Sequence, residues 1–462
     1  MDQIKKSLKD SLTTRWAMLF IVGFVLAANY YFYDALSPLK RTLEKEFNFT
    51  SFDFGLFVSV YSIPNVFLLM AVFGGVILDK LGIRRTGFIF VGMMTIGALI
   101  TAYGASNYYT NGGFGYEFMG SFLTNFSPEL KMMLFGRFLF GLGAETSIVV
   151  ISKIIVKWFK GKELALAFGV KIGLARLGSA AAFSFSPVLI EAATGWTTAI
   201  WFAAFFVCAG MLAFVVYMLF DLKLDKQIKQ EKLLNKDEEF RFSDLLMLFK
   251  NRSFIYITLL CLTFYSAVFP FQSFAPDFFL NKFNFSLEKS GQIASLLSLG
   301  TIFFTPLFGL FVDKKGRAAS LMIYGSLLLV AVHLTFALTP IKPYIPMIVL
   351  GIAFSLVPAA MWPSVAKFVP EKQIGSAYGA MFSIQNLGLF AFPLLIGLVL
   401  DKTNPGITPE MVVSGEASYD YQWAILMLAC LGVVGLIFAF LLKREDKTSG
   451  YGLELPSNVH KQ

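Results

Sequence analysis

The segment "GVILDKLGIRR" at residues 75–85 decides the fold, because a related segment, "GLFVDKKGR", occurs at residues 309–317. Each copy ends an apolar run with an aspartate, a glycine and several basic residues. A second matching pair, "EFNFTSFDFG" (46–55) and "KFNFSLEKSG" (282–291), precedes the same two apolar runs. Internal repetition of this kind predicts two related halves with the same orientation.

The composition indicates a protein that crosses a membrane many times. Hydrophobic residues make up 56% of the 462 residues and charged residues only 15%. Soluble domains are nearer to about 45–50% apolar, glycine included. A run of about 20 apolar residues is long enough to cross a bilayer as a helix. We predict twelve such helices, near residues 15–36, 54–79, 84–104, 131–157, 163–191, 197–221, 253–276, 287–313, 318–338, 343–366, 372–400 and 421–442.

The distribution of basic residues predicts the topology. Lys and Arg concentrate in the segments that share a side with both termini, so the positive-inside rule favours cytoplasmic termini. We therefore expect a six-helix bundle at 1–221, a charged cytoplasmic linker at 222–252, a second six-helix bundle at 253–443 and a cytoplasmic tail at 444–462. The formal charge of +9 then follows from loop composition, and no nucleic-acid partner is expected.

Several kinds of site have no support in the sequence. The glycines of "GRFLFGLGAE" (136–145) lie in an apolar run that no strand precedes, so they do not predict a dinucleotide loop. The cysteines form no spaced pair, which argues against disulfides and a metal site. His333 is predicted to be a core residue, with a proton relay as the alternative. We expect neither a cofactor nor an enzymatic activity.

The repeated corner predicts a gate. Asp79 precedes Arg84 and Arg85 in the first copy, and Asp313 precedes Arg317 in the second. Such charges can form a cytoplasmic network that stabilises one conformation of a carrier and breaks in the other. A simple topological anchor is the alternative.

Several blocks carry a family resemblance. The two corner segments resemble the signature of the major facilitator superfamily, and "GRFLFGLG" (136–143) resembles its fourth-helix motif. More narrowly, "WFKGKELALAFG" (158–169), "ARLGS" (175–179) and "SIQNLGL" (383–389) are similar to the lysosomal dipeptide uniporter subfamily. The resemblance implies a twelve-helix, all-α carrier that moves dipeptides by alternating access.

Two opposite charges are predicted at the same depth of neighbouring helices. At 1.5 Å per residue, Arg176 lies about 20 Å and Glu145 about 18 Å from the cytoplasmic edge. Charges at this depth are costly unless they are paired or face a wet cavity. Glu145 can bind the amine and Arg176 the carboxylate of a small zwitterion, and the family resemblance implies the same roles. A structural ion pair is the alternative.

Four more residues are predicted to line a substrate site at this level. The repeat places Asn386 opposite Arg176, and Gln385 precedes it, so both amides could bind a peptide. Hydrogen bonding between helices is the alternative for this pair. Tyr265 and Asn29 reach a similar depth on two other helices.

Two lysines depart from the pattern of the resembling family. Lys171 lies about 12 Å and Lys153 about 6 Å from the cytoplasmic edge. Either side chain can snorkel to the cytoplasm or line the cavity. A lysine in the cavity would disfavour cationic dipeptides and favour an acidic or neutral ligand.

Four residues are predicted nearer to the outside. Tyr33, Asp34 and Tyr61 could form an outer gate, or the tyrosines could belong to an interfacial aromatic belt. Arg137 could contact the ligand, or Asp34 could be its structural partner.

We therefore expect a carrier of a small zwitterionic substrate, most simply a dipeptide, in a lipid bilayer. Uniport is implied by the resemblance, with proton coupling as an alternative. An organic anion or drug exporter and a non-transporting sensor or scaffold are the other hypotheses. The chain is expected to be a monomer or dimer in a bacterial inner membrane. The alternative is a lysosomal membrane, where an accessory glycoprotein would be the partner.

Overall fold

A computed structural model of the chain describes residues 8–159, 162–192, 195–228, 248–370 and 373–456. All regular elements within these ranges are helical. The α-helices are α1 (Leu12–Ala35), α2 (Lys40–Phe47), α3 (Ser51–Ser59), α4 (Ile63–Phe67), α5 (Met70–Gly104), α6 (Asn107–Thr110), α7 (Tyr116–Gly120), α8 (Pro128–Phe159), α9 (Leu164–Ile190), α10 (Thr197–Ile228), α11 (Arg252–Phe283), α12 (Leu287–Lys315), α13 (Ala318–Leu338), α14 (Tyr344–Val365), α15 (Ile374–Thr403), α16 (Pro409–Ser414) and α17 (Gln422–Ser449).

Eleven helices in the described ranges are long and apolar enough to cross a membrane, whereas the sequence predicted twelve. The difference arises in residues 51–104. The second predicted helix is divided into α3, α4 and the start of α5. A 3-10 turn at Val60–Ser62 separates α3 from α4, and Leu69, in a left-handed conformation at φ 48°, separates α4 from α5. α5 then continues through Gly82 (φ 77°, ψ 167°), where two helical segments meet at an angle. Glycine tolerates this backbone because it has no Cβ.

The internal repeat has the same local structure in both copies. The second corner also turns at a glycine, Gly316, with φ 71°. Asn48 and Asn284 both take left-handed conformations, at φ 55° and 52°. Thr50 and Ser286 follow them and cap α3 and α12, each accepting the backbone N–H three residues later. Such caps satisfy helix donors that otherwise lack a partner.

The first half of the fold comprises residues 8–228, and the second half comprises residues 248–456. The terminus side is the end of the bundle where α1 begins and α17 ends, and the far side is the opposite end. Across the halves, α9 packs against α12 and α3 packs against α15. These two pairs of helices therefore form much of the contact between the halves.

Glycines bring the halves into backbone contact on the far side. A Cβ added at Gly55 of α3 would lie 2.4 Å from the carbonyl oxygen of Pro393. A Cβ added at Gly397 of α15 would lie 2.3 Å from the carbonyl oxygen of Ser51. No side chain fits at these distances, so the two glycines allow the backbones of α3 and α15 to contact each other.

The last described residues fold back beneath the second half. Lys367, just after the end of α14, donates to the carbonyl oxygens of Gly452 and Leu455, each at 2.8 Å. The Glu454 carboxylate accepts the Ser320 N–H and hydroxyl at the start of α13. The segment after α17 therefore ties α13 and α14 together on the terminus side.

Candidate functional site

Glu145 lies on the face of α8 that looks toward the broken second helix. Its side chain is partly exposed, and Tyr61 and Asn65 lie next to the carboxylate. Tyr30 of α1 is within electrostatic range of both Glu145 and Arg176. One aromatic side chain therefore lies close to the two charges that the sequence placed at the same depth.

Arg176 lies at the boundary between the halves. Its guanidinium carbon is 5.6 Å from the ring centroid of Tyr30, 5.4 Å from that of Phe269 and 5.2 Å from that of Phe354. Tyr30 belongs to the first half, whereas Phe269 (α11) and Phe354 (α14) belong to the second. Ring faces stabilise a cation at these distances without neutralising it. Arg176 therefore keeps its charge available to an anionic group.

Glu145 and Arg176 do not form an ion pair within 4.0 Å in the described part of the chain. The alternative of a simple structural pair is therefore wrong for this conformation. Beside Arg176 on α9, a Cβ added at Gly169 or Gly173 would meet no atom within 4 Å. The arrangement leaves two separated opposite charges next to open space.

The second half contributes an aromatic wall to this region. The Trp362 indole N–H donates to the Tyr265 hydroxyl at 3.0 Å. The rings of Tyr265 and Phe269 lie 5.4 and 5.3 Å from that of Phe354. Trp362 also stacks on Phe382 at 4.6 Å. The sequence singled out Tyr265 alone, because the other rings lie among many phenylalanines and carry no distinguishing spacing.

The predicted amides differ in their surroundings. The Gln385 side-chain oxygen accepts from the Cys261 thiol at 3.5 Å, so Gln385 joins α15 to α11. The Asn386 amide nitrogen donates to the Phe382 carbonyl at 2.9 Å, while its buried side-chain oxygen has no hydrogen-bond partner among the described residues. Asn29 is buried in α1, with 3% of its surface exposed. Asn386 thus retains one acceptor that a ligand could use.

The two lysines have different environments. Lys171 is only 8% exposed, and its ammonium donates to the Ser152 hydroxyl of α8 at 2.6 Å. In this conformation the Lys171 side chain therefore contacts α8 and does not reach the surface. Lys153 instead forms an ion pair with Asp79 of the first corner.

Arg137 lies on α8, nearer to the far side than Glu145, and is enclosed by aromatic rings. Its guanidinium carbon lies 4.8 Å from the Tyr33 ring and 5.6 Å from the Tyr61 ring, and its Nη2 donates to the Tyr33 carbonyl at 3.3 Å. Asp34 is within electrostatic range of both Arg137 and Arg176. Tyr61 is 8% exposed, so it does not belong to a lipid-facing aromatic belt.

The first corner forms a charge network, but this network remains within the first half. The Arg84 guanidinium lies 2.8 Å from Asp221 and 2.6 Å from Asp225, both near the end of α10. The Lys157 ammonium binds the same two carboxylates at 2.6 and 2.7 Å. The network therefore joins α5, α8 and α10.

The other predicted corner charges are not part of a network between the halves. Among the residues of the described ranges, Arg85, Asp313 and Arg317 form no ion pair within 4.0 Å. The Arg317 backbone N–H instead donates to the Glu454 carbonyl at 3.0 Å. Among the described residues, the predicted charge network is therefore present at the first corner, whereas the second corner contacts the backbone of Glu454 instead.

A buried ionic cluster that the sequence analysis missed joins the halves on the far side. The Lys40 ammonium lies 2.6 Å from Glu44 and 2.9 Å from Asp277 of α11, and all three side chains are at most 2% exposed. The Tyr421 hydroxyl also donates to Asp277. Asp277 directly follows the seventh predicted helix, and a carboxylate at that depth was the signal that could have revealed the cluster.

Asp401 makes a second polar contact across the halves. Its carboxylate accepts the backbone N–H groups of Ser51 and Phe52 at 3.1 and 2.9 Å, so α15 of the second half caps α3 of the first. Carboxylates are favourable at helix N-termini, where backbone donors lack partners. The polar contacts between the halves therefore concentrate on the far side, which is closed in this conformation.

Comparison with known proteins identifies the family. Residues 19–393 match the Major Facilitator Superfamily. The chain is 33% identical over 401 residues to the mouse (Mus musculus) lysosomal dipeptide transporter MFSD1, covering 85% of this chain and 81% of that protein. The human (Homo sapiens) protein of the same name is 33% identical over 410 residues, with the same coverage.

Solved structures show the same fold. A bacterial homologue of the human lysosomal transporter Spinster, in an inward-facing and occupied conformation, superposes with a TM-score of 0.68 at 14% identity. The match covers 94% of this chain and 98% of that one. The crystal structure of a D-xylose–proton symporter superposes with a TM-score of 0.67 at 13% identity, covering 93% and 98% of the two chains. The chain therefore belongs to the major facilitator superfamily and is a multi-pass membrane transporter.

Proposed function

We propose that this transporter carries dipeptides by alternating access, with Glu145 binding the ligand amine and Arg176 its carboxylate. The observation that carries the proposal is the separation of these two charges beside open space, with second-half rings around Arg176. A zwitterion offers each charge a partner and removes the cost of two uncompensated ions in the membrane. The closeness to the lysosomal dipeptide transporters supports the choice of a dipeptide.

The remaining contacts suit the middle of a peptide. The ends of an extended dipeptide are separated by roughly 6–7 Å, which exceeds the 4.0 Å limit of an ion pair, so such a ligand suits two charges that do not contact each other. The Asn386 oxygen, which is buried and unpaired, can accept a peptide N–H. Tyr265 and Trp362 offer ring faces to ligand side chains.

The proposed cycle rocks the two halves about this site. Twelve spans result if α3, α4 and the start of α5 form one broken helix. Both termini then lie on the same side of the membrane, and the positive-inside rule makes that side cytoplasmic. Opening the far side requires the Lys40–Asp277 ion pair to break. Substrate alone drives the cycle in our proposal, which is uniport, and the purified chain needs no accessory subunit.

Dipeptide exchange in liposomes tests this function. Purified protein is reconstituted with unlabelled Ala-Ala inside, and the entry of labelled Ala-Ala is followed with and without a proton ionophore. We expect exchange that the ionophore does not change and that Glu145→Gln abolishes. Absence of exchange, together with the absence of a ligand-induced rise in melting temperature, would refute the proposed function. Exchange that needs a pH gradient would replace uniport with proton coupling.

A further inference from the structure

Lys171 is a buried cation whose partner is neutral. The side chain is 8% exposed, and the Ser152 hydroxyl accepts its hydrogen bond at 2.6 Å. No carboxylate lies within 4.0 Å of this ammonium among the described residues. The cationic groups of Lys40 and Lys157, which are also largely buried, each contact two carboxylates. Lys171 therefore lacks the compensation that the other two receive.

The contact with Ser152 locates the Lys171 ammonium relative to the substrate site. Ser152 follows Glu145 by seven residues on α8, so the two side chains leave the helix within about 20° of each other and about 10.5 Å apart along its axis. On α9, Lys171 precedes Arg176 by about 7.5 Å along the axis. The ammonium therefore lies on the Glu145 face of α8, one to two helical turns nearer to the terminus side.

The buried charges named so far do not balance. Asp34 and Glu145 are two carboxylates and Arg137 and Arg176 are two cations, whereas Lys171 adds a further cation nearer to the terminus side. Uncompensated charge inside a membrane protein is costly, and a ligand of opposite charge offsets that cost when it binds. A neutral zwitterion leaves the surplus unchanged, whereas a ligand with a net charge of −1 removes it.

From these contacts we propose that Lys171 determines substrate specificity by binding an acidic side chain of the transported dipeptide. The proposal rests on the proposed function, because it assigns the third charged group of the same ligand. Glu145 and Arg176 bind the two ends of the backbone, and the Lys171 ammonium binds the Asp or Glu carboxylate that extends toward the terminus side. Dipeptides with one acidic residue are then preferred over neutral ones, and cationic dipeptides are disfavoured.

A matched pair of ligands tests this assignment. Ala-Glu and Ala-Gln differ by the charge of one side chain and have almost the same shape. In exchange assays with labelled Ala-Ala, we expect wild-type protein to be inhibited by Ala-Glu at a concentration on the order of tenfold lower than by Ala-Gln. Lys171→Met should bring the two concentrations together and Lys171→Arg should keep them apart. The control is Lys282→Met. The Lys282 ammonium donates to the Phe336 carbonyl on the far side, so its removal should not alter the ratio of the two inhibitory concentrations.

The outcomes separate the two proposals. Exchange of Ala-Ala with equal inhibition by both ligands, or stronger inhibition by Ala-Gln, overturns the role of Lys171 and leaves dipeptide transport intact. A preference for Ala-Glu that persists in Lys171→Met also overturns it. Absence of any exchange by the wild type counts against dipeptide transport itself. If Lys171→Met does not fold, Lys171→Gln replaces it, and the wild-type ratio still decides.

Discussion

The Lys40 ammonium lies 2.9 Å from the Asp277 carboxylate, and this ion pair joins the two halves on the far side. Glu44 binds the same ammonium from the adjacent turn of α2, and none of the three side chains is more than 2% exposed. Removing one partner of a buried pair leaves the other charge uncompensated, at a cost of about 3–5 kcal/mol. The closed far side therefore depends strongly on this pair.

Lys40→Met should shift the equilibrium toward a conformation that is open on the far side. The physical reason is that Glu44 and Asp277 then repel each other in the closed state and gain water in the open state. Spin labels at Lys45→Cys and Glu410→Cys, in a background without the native cysteines, report the distance between the halves on this side. We expect the distribution of distances to lengthen in the variant.

The matched control for Lys40→Met is Lys289→Met, which removes an exposed far-side lysine that stacks over Phe285. The distances between the two spin labels in Lys289→Met should equal those in the wild type. An unchanged distribution in Lys40→Met would contradict the role of the ion pair in far-side closure.

Gly397→Ala should also oppose closure of the far side, through sterics rather than charge. The added methyl group would lie 2.3 Å from the Ser51 carbonyl oxygen, so α15 must move away from α3. We expect slower dipeptide exchange and longer far-side distances with the same spin labels. Gly375→Ala on the same helix meets no atom within 4 Å and serves as the control. Equal behaviour of the two variants would show that the close approach is not required.

Asp221→Asn should destabilise the first half. This carboxylate is 1% exposed and binds Arg84, Lys157 and the Tyr217 hydroxyl, the last at 2.8 Å. Losing hydrogen bonds to charged groups at a buried position lowers the free energy of unfolding by about 1–3 kcal/mol. The melting temperature of the purified protein should fall. Asp225→Asn, at a carboxylate that is 35% exposed, should have a smaller effect. A larger fall in melting temperature for Asp225→Asn than for Asp221→Asn would contradict this account of the network.

The sequence was informative where local rules or depth decide the structure. The repeated corner was recognisable from its sequence, and both of its glycines, Gly82 and Gly316, take a positive φ that glycine tolerates best. Counting residues along α8 and α9 predicts one level for Glu145 and Arg176, and Tyr30 lies within electrostatic range of both. His333 was predicted to be a satisfied core residue, and its ring nitrogens lie 2.9 and 3.1 Å from the Leu329 and Ala267 carbonyls.

Contacts between distant segments were not predictable by the same reasoning. A helical wheel gives the direction of Lys171 but not the presence of Ser152 on the neighbouring helix, so snorkelling remained open. Lys40 and Asp277 lie in different halves, and their contact depends on which side of the transporter is closed. The partners of the corner charge Arg84 were not predictable either, because Asp221 and Asp225 lie far from it along the chain.

The assignment of Glu145 and Arg176 makes a prediction that chemically modified ligands can check. N-acetylation removes the amine charge of a dipeptide, and C-terminal amidation removes its carboxylate charge. Each modification should weaken binding to the wild type, because one buried charge of the site then stays unpaired, at a cost of about 2–5 kcal/mol. N-acetylation should change the affinity little in Glu145→Gln, and amidation should change it little in Arg176→Met.

The most direct measurement is the stabilisation of purified protein by Ala-Ala, N-acetyl-Ala-Ala and Ala-Ala-amide, since a bound ligand raises the melting temperature by mass action. We predict that only Ala-Ala stabilises the wild type, that Glu145→Gln no longer distinguishes the acetylated ligand, and that Arg176→Met no longer distinguishes the amide. Equal stabilisation of the wild type by all three ligands, or unchanged discrimination in both variants, would contradict the assigned site.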